Sequence, residues 1–303
     1  MFYLRLFWFS HAIFNSKDMK NNKSLTLGIV IPVFNEQDQI KSCLDSIANQ
    51  SVLPDEVIVV DNNSSDNTAT IASEYPFVKV VQERQQGVLY ARTAGFNAVK
   101  SDIIGRIDAE THLKSDWVEQ VKRIFEDESI SAVSGPVGFH DAPFRKLGLF
   151  ADKNIRKATW NIGIKDDAVF LFGSNMAMRK KAWNKVKNKV CARKDVHEDI
   201  DLAIHLDQIG EIIAFDETLT AMTSSRRMQD STQDFYRYLQ IYKETYAVHG
   251  IQSPAVDMTV IVVLSAKFGV NLLQRAYDPK TQQFSIKKFI KGGSESRQSP
   301  VEL

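Results

Sequence analysis

Between residues 25 and 135 the chain alternates short β-branched apolar runs with segments whose apolar residues recur at helical spacing. LTLGIVIPVF is apolar almost throughout, as a strand covered on both faces requires; a half-exposed strand would interleave polar residues. Asn35 is then predicted to cap a helix that carries Ile40, Cys43, Leu44 and Ile47 on one face. EVIVVDNN, VKVVQE and DIIGRID read as the second, third and fourth strands. The segments between them read as helices: SDNTATIASEY, with Ser65 or Asp66 near its start, and GVLYARTAGFNAVK, packing through Val88, Ala91 and Ala94. A further helix is predicted from about Ser115 to Glu128, with Trp117, Val121, Ile124 and Phe125 inward. Short strands separated by helices of this length predict βαβ units and a mostly parallel sheet, and so an α/β fold.

The second half is less regular. AVFLFGSNMAMRKKAW reads as a strand leading into a short helix, VHEDIDLAIHLDQIG as a helix from near Glu198 to Gly210, and EIIAFD as another strand. An apolar share of 44% over 303 residues is enough for a substantial core. A net charge of +1 without any basic block excludes a nucleic-acid binder. Cys43 and Cys191 are the only cysteines. Their separation argues against a disulfide scaffold or a zinc site and fits a reducing, cytoplasmic compartment.

Two readings stand for the aromatic N-terminus MFYLRLFWFSHAIF, which is too short to span a bilayer: a short interfacial anchor, or residues ahead of a true start at Met19. PAVDMTVIVVLSAKFGVNLLQRAY is apolar from Met258 to Ala266, but Asp257 and Lys267 interrupt it. A buried or membrane-surface helix is therefore predicted rather than a spanning one. KGGSESRQSPVEL reads as a disordered tail. The predicted organisation is an extension over 1–24, one α/β domain over 25–250 with halves at 25–135 and 136–250, and an apolar helix and tail over 251–303.

In an open parallel sheet, ligands collect beyond the carboxyl ends of the strands. The second strand is predicted to end at Asp61 and the fourth at Asp108, so both acids should face one crevice. Neither GxGxxG nor GxxxxGK[ST] occurs, which leaves no glycine loop to cradle phosphates. In extended chain Asp108 and Glu110 project to the same side, where two carboxylates suit Mg²⁺ or Mn²⁺, and such an ion would neutralise a diphosphate. Taken alone, a D-x-E pair is more often a strand end followed by a solvated turn. Glu198 and Asp199 in HEDIDL are favoured at a helix start by the helix dipole, and equally placed to act as a general base. Asp201 reads as a surface residue of the same helix and His197 as a neighbour with no role. SSRR, ending in Arg226 and Arg227, is either a solvated basic turn or a source of guanidinium groups for a pyrophosphate.

In their order along the chain these pieces are more specific. VIPVFNE, VIVVDNNSSDNT, GVLYARTAG, IDAET, FGSNMAMRKKAW and EDIDL together resemble the family 2 glycosyltransferases, over about residues 25 to 230. The resemblance implies the GT-A fold, a Rossmann-like, mostly parallel sheet flanked by helices, here with a C-terminal helical extension. It also implies transfer, with inversion, of a sugar from a nucleotide diphosphate-sugar donor to a hydroxyl of a glycan or lipid-linked acceptor. By the same resemblance Pro32, Val33 and Glu36 surround the nucleoside, Asp61 contacts the base, and Arg92 lines that pocket. Asp108 is implied at ribose and metal, Glu110 at the metal (Mn²⁺ or Mg²⁺), and Asp199, second of the pair with Glu198, as the base. Arg226 or Arg227 would assist the leaving diphosphate.

Two positions depart from that pattern. Asn62 stands where a second acid is usual, and Glu110 where Asp is more common. The Gln-x-x-Arg-Trp motif of processive synthases is missing and no transmembrane bundle is evident, which argues against polymer extrusion and for non-processive transfer. A sugar nucleotidyltransferase would want a basic, glycine-rich loop in place of PVFNEQDQ; a silent nucleotide-sugar-binding module would not need all of these acids. Residues 136 to 172 read as loops that would choose the sugar, with Phe139, Phe144 and Trp160 more apt for core packing than for stacking on a ligand. The apolar segment after Pro254 leaves open an acceptor at the inner face of the membrane.

Overall fold

The computed structural model describes residues 24–163, 165, 168–278, 281 and 283–286. The N-terminal anchor or alternative start and the polar tail lie outside the described residues. The predicted α/β class holds: seven strands form one sheet in the order β3 (Val78–Gln82), β2 (Glu56–Asp61), β1 (Leu27–Val33), β4 (Ile103–Arg106), β8 (Met176–Arg179), β6 (Ile130–Ser134) and β9 (Ile212–Phe215). The pairs β3–β2, β2–β1, β1–β4 and β6–β9 are parallel, and β8 runs antiparallel between β4 and β6. A small second sheet joins β5 (His112–Leu113), β10 (Ala221–Thr223) and β7 (Val137–Phe139).

Continuous apolar runs make sense because helices cover both faces. Leu27, Ile29, Ile31 and Val33 of β1 pack with α1 (Ile40–Ala48) and α4 (Trp117–Ile124). Val30, between them in the pleat, faces the opposite core with α3 (Val88–Ala98), α6 (Lys180–Val186) and α7 (Glu198–Gln208). Each such side chain taken wholly from water contributes about 1.5–3 kcal/mol. Gly95 lets α3 sit close on the sheet, since a Cβ there would lie 2.3 Å from Cγ1 of Val30.

Several local expectations are corrected. α1 begins at Ile40 after Gln39, so Asn35 does not cap it. Val88 is exposed; α3 packs through Ala91 and Ala94 as predicted, and also through Arg92, Gly95 and Phe96. Ala168 to Leu171 are buried but not a strand, and β8 starts only at Met176. The stretch read as loops holds β7 and the 19-residue α5 (Arg145–Gly163). Trp160 does join the core, against Phe170 and Phe215, whereas Phe144 is exposed. α8 (Thr232–Val248) and α9 (Pro254–Ala276) then pack on α7 and α5.

Candidate active site

The loops beyond the carboxyl ends of β1 and β2 are stitched together by side chains. Asn35 takes a left-handed conformation (φ 54°), its Oδ1 accepting from the amide of Ser65 at 2.8 Å. The amide of Glu36 donates to Oγ1 of Thr68 at 2.7 Å. Asp61, the last residue of β2, pairs in register with Val33 and is almost wholly buried. Its carboxylate accepts from the Ser64 amide at 3.2 Å and from the Gln82 side chain. Asn62 donates Nδ2 to the carbonyls of Glu83 and Gln85, at 2.8 and 2.7 Å, and accepts from the amide of Gly87 at 2.7 Å. An aspartate has no hydrogen to give those carbonyls, which accounts for the amide here.

β4 stops at Arg106, two residues before the predicted end. The Thr111 amide donates to the Asp108 carbonyl at 3.0 Å, so Asp108 and Glu110 occupy the first and third positions of a turn rather than one side of a strand. Asp108 is the open member, its side chain 38% exposed, with Oδ1 3.0 Å from Nη2 of Arg106. Glu110 is ion-paired through Nε of Arg226, whose Nη2 lies 2.6 Å from Oε2 of Glu36. Burial disfavours the charge on Arg226, but Glu110 and Glu36 outweigh it and raise its pKa. Behind the turn, Nε2 of His140 lies 3.2 Å from the Glu110 carbonyl, and the His140 and His112 rings stack with centroids 4.0 Å apart. Arg227 does not join these acids; its guanidinium lies 4.5 Å from the centroid of the Tyr238 ring.

Opposite this turn stands the start of α7. Oε1 of Glu198 is 3.1 Å from the same Nη2 of Arg106, so one buried guanidinium joins Asp108 to Glu198. Burial alone would lower the pKa of Arg106, yet Asp108, Glu198 and Asp199 together raise it. Asp199 is fixed by two backbone donors: Oδ2 accepts from Gly173 and Oδ1 from Ile200, both at 2.9 Å. Gly173 is required by this arrangement, because a Cβ there would fall 0.6 Å from Nη1 of Arg106. Arg92 is fully buried, donates to the Glu198 carbonyl, and has Phe96 and Trp183 each at 5.8 Å from its guanidinium carbon. Burial lowers its pKa, with Glu198 acting in the other direction.

Of the residues singled out in the sequence, then, Glu36, Glu110 and Arg226 meet in one ion-paired group. Asp108, Glu198 and Asp199 meet around Arg106. Asp61 is anchored beside Val33, and Arg92 lies beneath α7. Arg106 and Gly173 escaped the sequence reading. A signal was there for the first: an arginine inside the otherwise apolar run IIGRI has to find carboxylates.

The family model described as "Glycosyl transferase family 2" matches residues 28–186, more than half of the chain. The chain is 28% identical over 120 residues to "Glycosyltransferase AglE" of Haloferax volcanii, covering 37% of this chain and 40% of that protein. It is 33% identical over 110 residues to "Undecaprenyl-phosphate 4-deoxy-4-formamido-L-arabinose transferase" of Serratia proteamaculans, covering 33% of this chain and 34% of that one. The matched stretch thus spans well under half the length of these relatives. Among solved structures, the mannosyltransferase PcManGT of Pyrobaculum calidifontis, in complex with GDP-Man and Mn²⁺, superposes with a TM-score of 0.57 at 18% identity. That match covers 84% of this chain and 72% of the other, a likeness of fold. The ordered acids at the strand ends, the sheet that carries them and the family match agree: the chain belongs to glycosyltransferase family 2 and has the GT-A fold.

Proposed function

We propose that this glycosyltransferase moves one sugar from a nucleotide diphosphate donor to a hydroxyl acceptor, with inversion at the anomeric carbon. The observation that carries the reading is the line Asp108–Arg106–Glu198, which couples the turn after β4 to the start of α7 and leaves Asp199 fixed beside it. Pro32, Val33, Glu36 and Asp61, at the ends of β1 and β2, are assigned to the nucleoside. Arg92 is a positioning residue, since its buried guanidinium holds the α7 backbone. Asp199 is the general base. Each of its oxygens accepts one backbone hydrogen bond and keeps a further lone pair for the acceptor hydroxyl. It takes the proton as the acceptor oxygen bonds to the anomeric carbon and the diphosphate departs from the opposite face.

The turn fits a hard divalent cation, Mg²⁺ or Mn²⁺, through Asp108 and Glu110. When bound, such an ion would offset negative charge on the departing diphosphate. Glu110 is engaged with Arg226 through Oε2, so that oxygen would reach an ion only when the guanidinium moves. Arg226, once released, suits the diphosphate oxygens, whereas Arg227 stays with Tyr238.

The acceptor side favours a lipid-linked hydroxyl. Pro254–Leu273 of α9 is long and apolar enough to cross a membrane; of its two charges Lys267 is turned into the protein, while Asp257 stays exposed beside Lys243. Lys267 is buried and donates to the carbonyls of Met228 and Asp230, both at 2.7 Å, and Asp257 lies 2.6 Å from Lys243. Ile261, Phe268 and Leu272 of α9, and Leu147 and Phe150 of α5, stay exposed. An exposed helix face that is mostly apolar, broken by Asp257 and Ser265, suits a membrane surface. The relative from Serratia, by its name, acts on a polyprenyl phosphate.

The test is release of nucleoside diphosphate by the purified chain from a panel of nucleotide-sugars, with Mn²⁺, with Mg²⁺ and with chelator. Release from at least one donor with metal, lost with chelator and in Asp108→Asn, is expected. Release indifferent to chelator removes the metal from the proposal; donor binding without release from any donor, in the presence of lipid-linked acceptors, leaves a binding module instead.

A further inference from the structure

Further along α7 a second cluster gathers, outside the site just described. Asp201 and His205 stand one turn apart on α7, Cys191 lies in the loop between α6 and α7, and His249 directly follows α8. Asp201 is not the surface residue predicted: its side chain is 0% exposed. Its Oδ2 accepts from the Cys191 amide at 2.9 Å, while Oδ1 lies 2.8 Å from Nε2 of His249 and 3.5 Å from Nε2 of His205. The same His205 nitrogen is 4.0 Å from the Cys191 sulfur, and the four donor atoms all lie within 4.8 Å of one another. The wide separation of the cysteines and the surface reading of Asp201 both speak against such a group in the sequence.

We propose that Cys191, Asp201, His205 and His249 form a closed, structural Zn²⁺ site. Zinc takes sulfur at about 2.3 Å and nitrogen or oxygen at about 2.0–2.2 Å, so a tetrahedral set needs donors roughly 3.3–3.7 Å apart. The contacts of 2.8, 3.5 and 4.0 Å bracket that range. Charge agrees as well. One thiolate, one carboxylate and two neutral imidazoles make the buried ion electrically neutral, whereas without it a wholly buried carboxylate must be balanced by its neighbours. Loading the site would release the Cys191 thiol proton to solvent. No ligand position is left for substrate, which makes the role structural. The ion would tie the end of α8 and the α6–α7 loop to the helix that presents Glu198 and Asp199. A direct bond already follows that path, from the His197 amide to Oγ1 of Thr245 at 2.8 Å.

The full chain, purified without chelator and desalted, should retain one zinc per chain by elemental analysis. Replacing it with Co²⁺ should give the intense visible bands of a tetrahedral ion together with sulfur-to-cobalt charge transfer. Its loss in Cys191→Ser separates this site from a metal at Asp108 and Glu110, beside which the buried Cys43 sulfur lies 3.7 Å from the Asp108 carbonyl. Cys191→Ser and His249→Gln should each weaken zinc binding by more than about 100-fold. Substoichiometric zinc with no charge-transfer band on adding Co²⁺ to the unmodified chain overturns the proposal, whatever the variants do. Zinc that stays bound with unchanged affinity in both variants overturns it equally.

Discussion

Along β1, β2 and β4 the functional groups hang from strand ends whose neighbours are wholly buried, and side-chain bonds to backbone hold the loops in place. On the α5 and α9 side, helices docked through one face leave Leu147, Phe150, Ile261, Phe268 and Leu272 exposed on the other. Stability is therefore concentrated where the donor is assigned to bind, and exposed apolar surface where the acceptor is. Changes on the first side should cost fold and chemistry together; changes on the second should cost only what the surface touches.

Arg106→Met is the harshest way to break that contrast. It strips the shared cation from Glu198 and Asp108, and loss of one partner from a buried ion pair costs about 3–5 kcal/mol. A fall of that size in denaturant-derived stability is expected; a loss below 1 kcal/mol would show that the α7 start does not lean on β4.

A smaller effect, still on the donor side, comes with pH. His112 takes a proton near 6.5 when unfolded but only at about 4 in the fold, because burial, and then His140, disfavour its charge. Between those values the unfolded chain binds more protons, so this contribution is complete above pH 6.5 and is lost as the pH falls toward 4. It amounts to about 1–2 kcal/mol after solvent screening. His112→Phe should flatten this part of the stability–pH curve, and an unchanged curve would move the titration elsewhere.

The smallest change in stability belongs to the other flank. Ile261→Glu, Phe268→Glu and Leu272→Glu together should alter stability by less than about 0.5 kcal/mol per residue while abolishing sedimentation with anionic lipid vesicles. If the triple variant still sediments as the unmodified chain does, α9 is not the membrane face.

The same contrast explains what could be read in the sequence. Strands β1 and β2 announce themselves because burial on both faces leaves no polar residue to blur the run, and Asp61 follows directly from where β2 stops. The turn at Asp108 was placed on the strand because IIGRID stays apolar past Arg106, although its hydrogen bonds end there. α5 hid for the opposite reason: among its described residues only Thr159, Trp160 and Gly163 are buried, so no apolar stripe marks it. Asp201 looked exposed because its partners Cys191, His205 and His249 meet only through tertiary packing. Arg226 was assigned to phosphates from its neighbours in sequence, while its link to Glu36 spans 190 residues and leaves no local trace.

The central claim is that Asp199, fixed by the amides of Gly173 and Ile200, removes the acceptor proton. Single-turnover transfer by Asp199→Asn, measured beside donor affinity in the same protein, tests it most directly. Transfer should fall by at least about 10²-fold, within the range general-base assistance supplies, with donor affinity nearly unchanged. Transfer at close to the normal rate, with the donor still bound, would contradict it.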